Sequence, residues 1–164
     1  MSRAGASLAR RLAALAYDAL LLSALITVVG FLTLPLSGPA SAPSLRVPVL
    51  PARIVSFALV FAAGALYFGW SWTSGRRTLA MKTWRIALVR ADGEPVTGKI
   101  ALTRYFAGWI GPAAALVAYV ALRPVGLGAL ALPLVGINFL WALVDPERRF
   151  LHDRIAGTRI VDRA

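Results

Sequence analysis

The sequence predicts an all-α membrane protein, four transmembrane helices with a small cytoplasmic β-hairpin-like appendage, forming one domain over residues 1–164. Three observations carry this expectation. Hydrophobic residues make up 59% of the chain and charged ones only 15%, too apolar for an ordinary soluble domain. Apolar runs at about residues 8–34, 54–72, 100–122 and 127–144 have roughly the 20 residues that a helix needs to cross a bilayer. Between the second and third runs, Trp84, Ile86 and Leu88 alternate with Arg85, Ala87 and Val89, which is the period of a strand.

The first span follows a short basic leader ending at Arg10-Arg11, with Ser7 placed as its N-cap, and it stops at Pro35. A basic start and an apolar run resemble a secretory signal, but this run is too long for a signal's apolar core, so the helix is expected to stay in the membrane. Ala9, Ala13, Ala16 and Ala19 form a small-residue stripe that suits close approach of another helix, although a compositional excess of alanine explains it equally well.

Five prolines between Pro35 and Pro51 break any regular element, so a loop is expected there. The second span carries no charge and closes on Tyr67, Trp70 and Trp72, aromatics suited to a membrane interface. A basic connection then runs from Thr73 to Lys99 and contains the expected strand, with Asp92-Gly93 as a turn after it. The third span has Arg104 near its start and Pro112 inside it, where the missing N–H frees a carbonyl one turn earlier. Arg123 to Gly126 forms a tight turn. The fourth span holds Pro133 and Asn138 and ends at Asp145-Pro146. In the tail, Thr158 to Val161 reads as a second short strand, expected to pair with the one around Ile86.

The net charge of +11 would suggest nucleic acid in a soluble protein. Here topology accounts for it. The leader, the stretch from Thr73 to Arg104 and the tail hold fifteen of the eighteen basic residues, leaving Arg46, Arg53 and Arg123. The positive-inside bias then puts both termini and the long connection in the cytoplasm of a cell (inner) membrane. The partners implied are the lipid bilayer, anionic lipid and a second copy of the chain, with no nucleic acid. Without cysteine, disulfides and thiolate metal sites are excluded, and a single histidine excludes a His-rich metal site within one chain, so no cofactor is expected.

Asp18 is the residue that needs a reason. Between Leu12 and Leu34 it is the one charged side chain, and a carboxylate near the middle of a crossing costs roughly 3 kcal/mol on insertion scales. It should face protein or water and have a partner. Arg11, seven residues earlier, shares its helix face but lies about 10 Å away along the axis, too far for a direct bridge. Arg104 is therefore the expected partner of Asp18, and Asp145 or Asp153 that of Arg11. Asn138 reads more readily as an interhelical hydrogen bond than as a ligand. His152-Asp153 reads as a proton relay or, more commonly, as an ordinary cap in a surface turn.

Four stretches resemble the RDD family of small bacterial membrane proteins, named for one arginine and two aspartates. They are Arg11 to Asp18, Gly75 to Lys82, Val89 to Gly93 followed by Arg104, and Leu151 to Val161. Together they cover nearly the whole chain. The resemblance implies that the name-giving residues are Arg11, Asp18 and Asp153; Ala80 stands where the family commonly has glycine. It also implies transport of unidentified ligands, with cation/proton antiport proposed for some members.

Two functional expectations follow. In one, a small cation or proton moves through a site around Asp18, with Arg11, Arg104 and Asp153 completing a polar network. In the other, a non-catalytic scaffold or accessory subunit binds anionic lipid or a partner protein through its basic face. No nucleophile paired with a base, phosphate loop or ligand cluster suggests an enzyme.

Overall fold

The computed structural model describes residues 5–33 and 50–163. Helix α1 spans Leu8–Thr33, and α2 spans Leu50–Trp72. Ser7 caps α1, its hydroxyl accepting from the Arg10 amide at 3.4 Å. Helix α2 begins four residues before the expected 54, because Pro51 is tolerated in a first turn, where an N–H has no intrahelical partner anyway. The proline-rich loop expected before it lies outside the described residues, apart from Leu50 and Pro51.

After α2 come the short α3 (Leu79–Thr83) and strand β1 (Ile86–Arg90), followed by α4 (Gly98–Gly108) and α5 (Ile110–Leu122). A 3-10 stretch Gly128–Gly136, the short α6 (Ile137–Leu140) and a 3-10 turn Trp141–Leu143 lead to α7 (Leu151–Ile155) and strand β2 (Thr158–Asp162). The protein is thus mostly helical, with a small antiparallel sheet. Among the described residues, three helices are long and apolar enough to cross a membrane: Leu8–Leu32, Leu50–Trp72 and the stacked α4 and α5, Gly98–Val125. The fourth apolar run is a shorter helical segment, Gly128–Leu143.

The sheet pairs the two stretches expected to pair, with Ile86 opposite Asp162 and Leu88 opposite Ile160. Both faces are covered: Ile86, Ala87, Leu88 and Val89 are all buried, so the alternation of Trp84, Ile86 and Leu88 does not mark a single inner face. The leader joins this sheet through a bridge from Gly5 to Val161 and the Ala6 amide on the Ile160 carbonyl at 3.0 Å. Arg10 then ties α1 to it, pairing with Asp162 at 2.5 Å and donating to the carbonyls of Trp84 and Arg85. Helix α1 consequently enters the bundle at a fixed angle and height.

The junction of α4 and α5 shows what Pro112 does. Without its N–H, the Gly108 carbonyl one turn back has no helical donor, and the helix breaks at Trp109. Asn138 fills that vacancy, donating Nδ2 to Gly108 O at 2.7 Å, so the side chain read as an interhelical hydrogen bond is one. Opposite α5 the 3-10 stretch comes so near that a Cβ on Gly111 would meet the Val135 carbonyl oxygen at 2.6 Å.

Candidate functional site

The buried face of α1 is built from Arg11, Ala14 and Asp18, spaced three and four residues apart. It is not the alanine stripe: Ala9, Ala16 and Ala19 are exposed. Arg11 and Asp18 are each 7% exposed, so α1 turns these two charges inward while Leu12, Leu15, Leu20 and Leu32 face outward, the opposite of a soluble amphipathic helix.

Each charge finds a partner other than the one expected. Asp18 does not pair with Arg104. Its Oδ2 accepts from the Thr78 hydroxyl at 3.1 Å, and the same hydroxyl accepts from the Met81 amide as the N-cap of α3. Arg104 instead pairs with Asp153, Nε to Oδ1 at 2.7 Å, with both side chains almost fully buried. The reason lies in α7, whose first turn packs Asp153 against α4, where a carboxylate buried to 1% exposure requires a cation. Thr158 at the start of β2 adds a hydrogen bond to the same Oδ1 at 3.1 Å.

Arg11 likewise forms no ion pair with Asp145 or Asp153. Its guanidinium donates to the Arg148 carbonyl at 2.6 Å and lies over the Phe150 ring at 5.3 Å. Arg148 has a left-handed φ of 52°, uncommon outside glycine, and that turn is held by Asp145. The Asp145 carboxylate accepts the Glu147 and Arg149 amides at 3.1 and 3.0 Å and pairs with Arg154 at 2.5 Å. These bonds to the backbone, Arg149's foremost, and the nearby arginines keep its carboxyl below the usual range. Asp145 thus shapes the loop that Arg11 grips.

His152-Asp153 is not a surface cap. His152 is 7% exposed and Asp153 1%, and Phe150 occupies the cap position of α7. Arg104 donates a second N–H to His152 Nε2 at 3.2 Å, which requires that nitrogen to be unprotonated and puts the neutral ring's proton on Nδ1. Burial pushes the imidazole down to about 4, and Arg104 acts in the same direction while Asp153 opposes it. Asp153 itself is held below the ordinary carboxylate range: burial works against this, but Arg104, His152 and Thr158 outweigh it.

Beside this network lies a cavity of about 340 Å³. Helix α1 contributes Ala14, Asp18, Leu22 and Ile26 to it; Val60 and Phe68 come from α2, and Tyr105 and Trp109 from the broken third crossing. Arg11, Arg104 and His152 stand at its polar end. Asp18 Oδ1 is buried on this wall without a hydrogen-bond partner among the described residues, and so is Arg11 Nε. No group of three or more His, Asp or Glu side chains suited to a metal ion occurs among the described residues.

The four expected site residues therefore lie around one cavity and the ion pair behind it, in a different pairing. Thr78 was missed, although a threonine before Leu-Ala-Met-Lys is a helix N-cap signal. Trp72 was missed too. Expected in an interface belt, it is buried with Arg104 stacked 4.1 Å from its ring centroid. No local pattern distinguishes it from Trp70, which is 65% exposed and covered on one side by Arg76.

Apolar helices that turn an arginine and an aspartate inward onto a small polar module define a class, small helical membrane proteins with a buried charge network. Within it, the RDD family model matches residues 5–157, and the chain belongs to the RDD family. No curated protein and no solved structure matches it significantly.

Proposed function

We propose that this protein moves a small cation or a proton across the membrane, with Asp18 as the exchanging group. One observation carries the reading. Of the two acids at this network, Asp153 has an arginine, a threonine and a histidine around it, whereas Asp18, which lines the cavity, has a single neutral hydroxyl as its hydrogen-bond partner and a buried second oxygen with none among the described residues. A carboxylate without a fixed counter-cation can accept a proton or cargo and release it again.

The proposed topology has four crossings with both termini in the cytoplasm, following the excess of basic residues on that side. Gly128–Leu143 has only 16 residues, but much of it is 3-10 helix, which rises about 2.0 Å per residue, so it reaches close to the roughly 30 Å of a hydrocarbon core. Association of copies would bring several Asp18 sites into one assembly. The proposal is for a non-enzymatic protein of a bacterial cell membrane.

Reconstitution tests it. In liposomes carrying a pH-sensitive dye, a gradient of sodium, potassium or a permanently charged organic ammonium ion should drive a pH change that Asp18→Asn abolishes; flux that survives the substitution, or none from any of these ions with the native chain, refutes the reading.

A second reading has its own observation. Leu79 and Trp84 are exposed beside exposed Lys82 and Arg85 at the polar end, an apolar and basic surface suited to anionic headgroups. If this surface docks on anionic lipid, neutralising Arg76, Arg77 and Arg85 should lower binding to phosphatidylglycerol vesicles, and unchanged binding removes it.

A further inference from the structure

We propose that the cavity beside Asp18 takes an organic ammonium ion with an apolar body, its ammonium on the Asp18 carboxylate and its body among the side chains of α1, α2 and α4. The inference rests on Asp18 as the cation site and narrows the cargo to a chemical class.

Size is the first argument. About 340 Å³ is far more than one dehydrated ion occupies and is of the order of ten water volumes, at about 30 Å³ each. The second is the wall. Apart from Arg11, Asp18, Arg104, Tyr105 and His152, the lining side chains are aliphatic or aromatic, including the indoles of Trp72 and Trp109. Such a surface gains from contact with hydrocarbon and gives a bare ion nothing.

The third argument is the supply of oxygen. A stripped hard cation such as calcium or magnesium takes about six to eight oxygen ligands. Here the lining side chains offer three oxygens, the two of Asp18 and the hydroxyl of Tyr105, which donates to the Phe61 carbonyl at 2.8 Å; that is fewer than such an ion takes, and Asp18 Oδ1 has no hydrogen-bond partner among the described residues. An ammonium group needs one charge and a few acceptors, and aromatic faces stabilise the rest of its surface.

The arginines at the polar end form no ion pair with the Asp18 carboxylate. Arg104 is neutralised by Asp153 and covered by Trp72, and Arg11 is held on the Arg148 carbonyl and over Phe150. Neither lies within 4.0 Å of the Asp18 carboxylate, which forms no salt bridge among the described residues.

The test uses the full chain in phosphatidylcholine nanodiscs, titrated with phenethylammonium and read by calorimetry and tryptophan fluorescence, with empty nanodiscs subtracted. Saturable binding of one ion per chain is expected, weakened at least tenfold by Asp18→Asn, with phenylacetate and 2-phenylethanol binding at least tenfold more weakly. Should Asp18→Asn not fold, Val60→Trp, which fills the cavity and keeps the carboxylate, should abolish binding. Equal binding by either folded variant, or by the three probes, overturns the inference. Asp18-dependent sodium or proton flux without phenethylammonium binding also overturns it but leaves the transport reading standing; Asp18-dependent binding without flux supports the ammonium site and ends the transport reading.

Discussion

The single histidine makes one property of the network directly measurable, because its imidazole is the only one in the spectrum. His152 sits in α7, where burial lowers its pKa from 6.5 to about 4 and Arg104 donates to Nε2. An imidazole that stays neutral when folded but charges when unfolded makes the unfolded state the better proton acceptor. Stability is therefore full above about pH 6.5 and falls as pH drops from there towards 4. A tenfold change in proton affinity is worth about 1.4 kcal/mol, so the loss relative to pH 7 is about 2 kcal/mol at pH 5 and approaches about 3 kcal/mol near pH 4. Asp153 and Asp145 have a window of the same sign at lower pH. Their depressed folded values give stability above the ordinary carboxylate value of 3.8, lost as pH falls through the folded values, mostly below the histidine window. The assay is NMR of histidine-labelled protein in nanodiscs, paired with unfolding at pH 7, 6 and 5. The imidazole should remain the neutral Nδ1–H tautomer at pH 5, and His152→Gln should flatten the decline between pH 7 and 5. An imidazole titrating near 6.5 in the folded protein, or an equal decline in the variant, refutes the reasoning.

Further perturbations probe the neighbouring contacts. Removing one side of the buried pair, as in Arg104→Met, strands Asp153 and should cost about 3–5 kcal/mol, whereas Arg104→Met with Asp153→Leu should cost clearly less than the two single changes added together; additive losses in thermal unfolding would count against a direct pair. Thr78→Ala deletes both the cap of α3 and the one bond to Asp18 and should cost about 1–2 kcal/mol, with Thr78→Ser recovering most of it in the same assay. Gly111→Ala drives a methyl to 2.6 Å from the Val135 carbonyl oxygen and should cost about 1–3 kcal/mol as α5 and the 3-10 stretch separate. Gly69→Ala on α2, whose Cβ would make an ordinary 3.7 Å contact, should be close to neutral and serves as the control.

How legible this was depended on how local the cause is. The membrane class, the family, the two strands and the Pro112 break are written in composition, period and a missing N–H, and each can be read without knowing what packs where. The pairing of charges could not. Arg104 has the same reach towards Asp18 as towards Asp153 when only the sequence is known; the choice is made by α7 and β2, which fold back so that Asp153 is walled in by α4 and Thr158. The fate of Arg11 depends likewise on the Asp145 loop presenting a carbonyl, and nothing in the residue types of Arg148 or Phe150 announces that. Trp72 and Trp70 differ only in helix azimuth, which becomes informative once the partner helices are known. The alanine stripe failed for a related reason: small size permits close approach without requiring it.

The asymmetry between the two acids is the step that links this packing to function. Protonating Asp153 would leave Arg104 charged in a buried place with nothing to balance it, a cost of several kcal/mol, so that acid is locked in its ionised form by its own partner. Asp18 is held by a hydroxyl, which can donate to a carboxylate or accept from a carboxylic acid by rotating one bond. Neutralising Asp18 therefore strands no cation beside it. The same logic explains why the neutral donor is also the cap of α3: the Met81 amide keeps Thr78 in place through either state, so the geometry survives the change of charge. A site that must empty and refill needs that property, and in this network Asp18 has it and Asp153 does not.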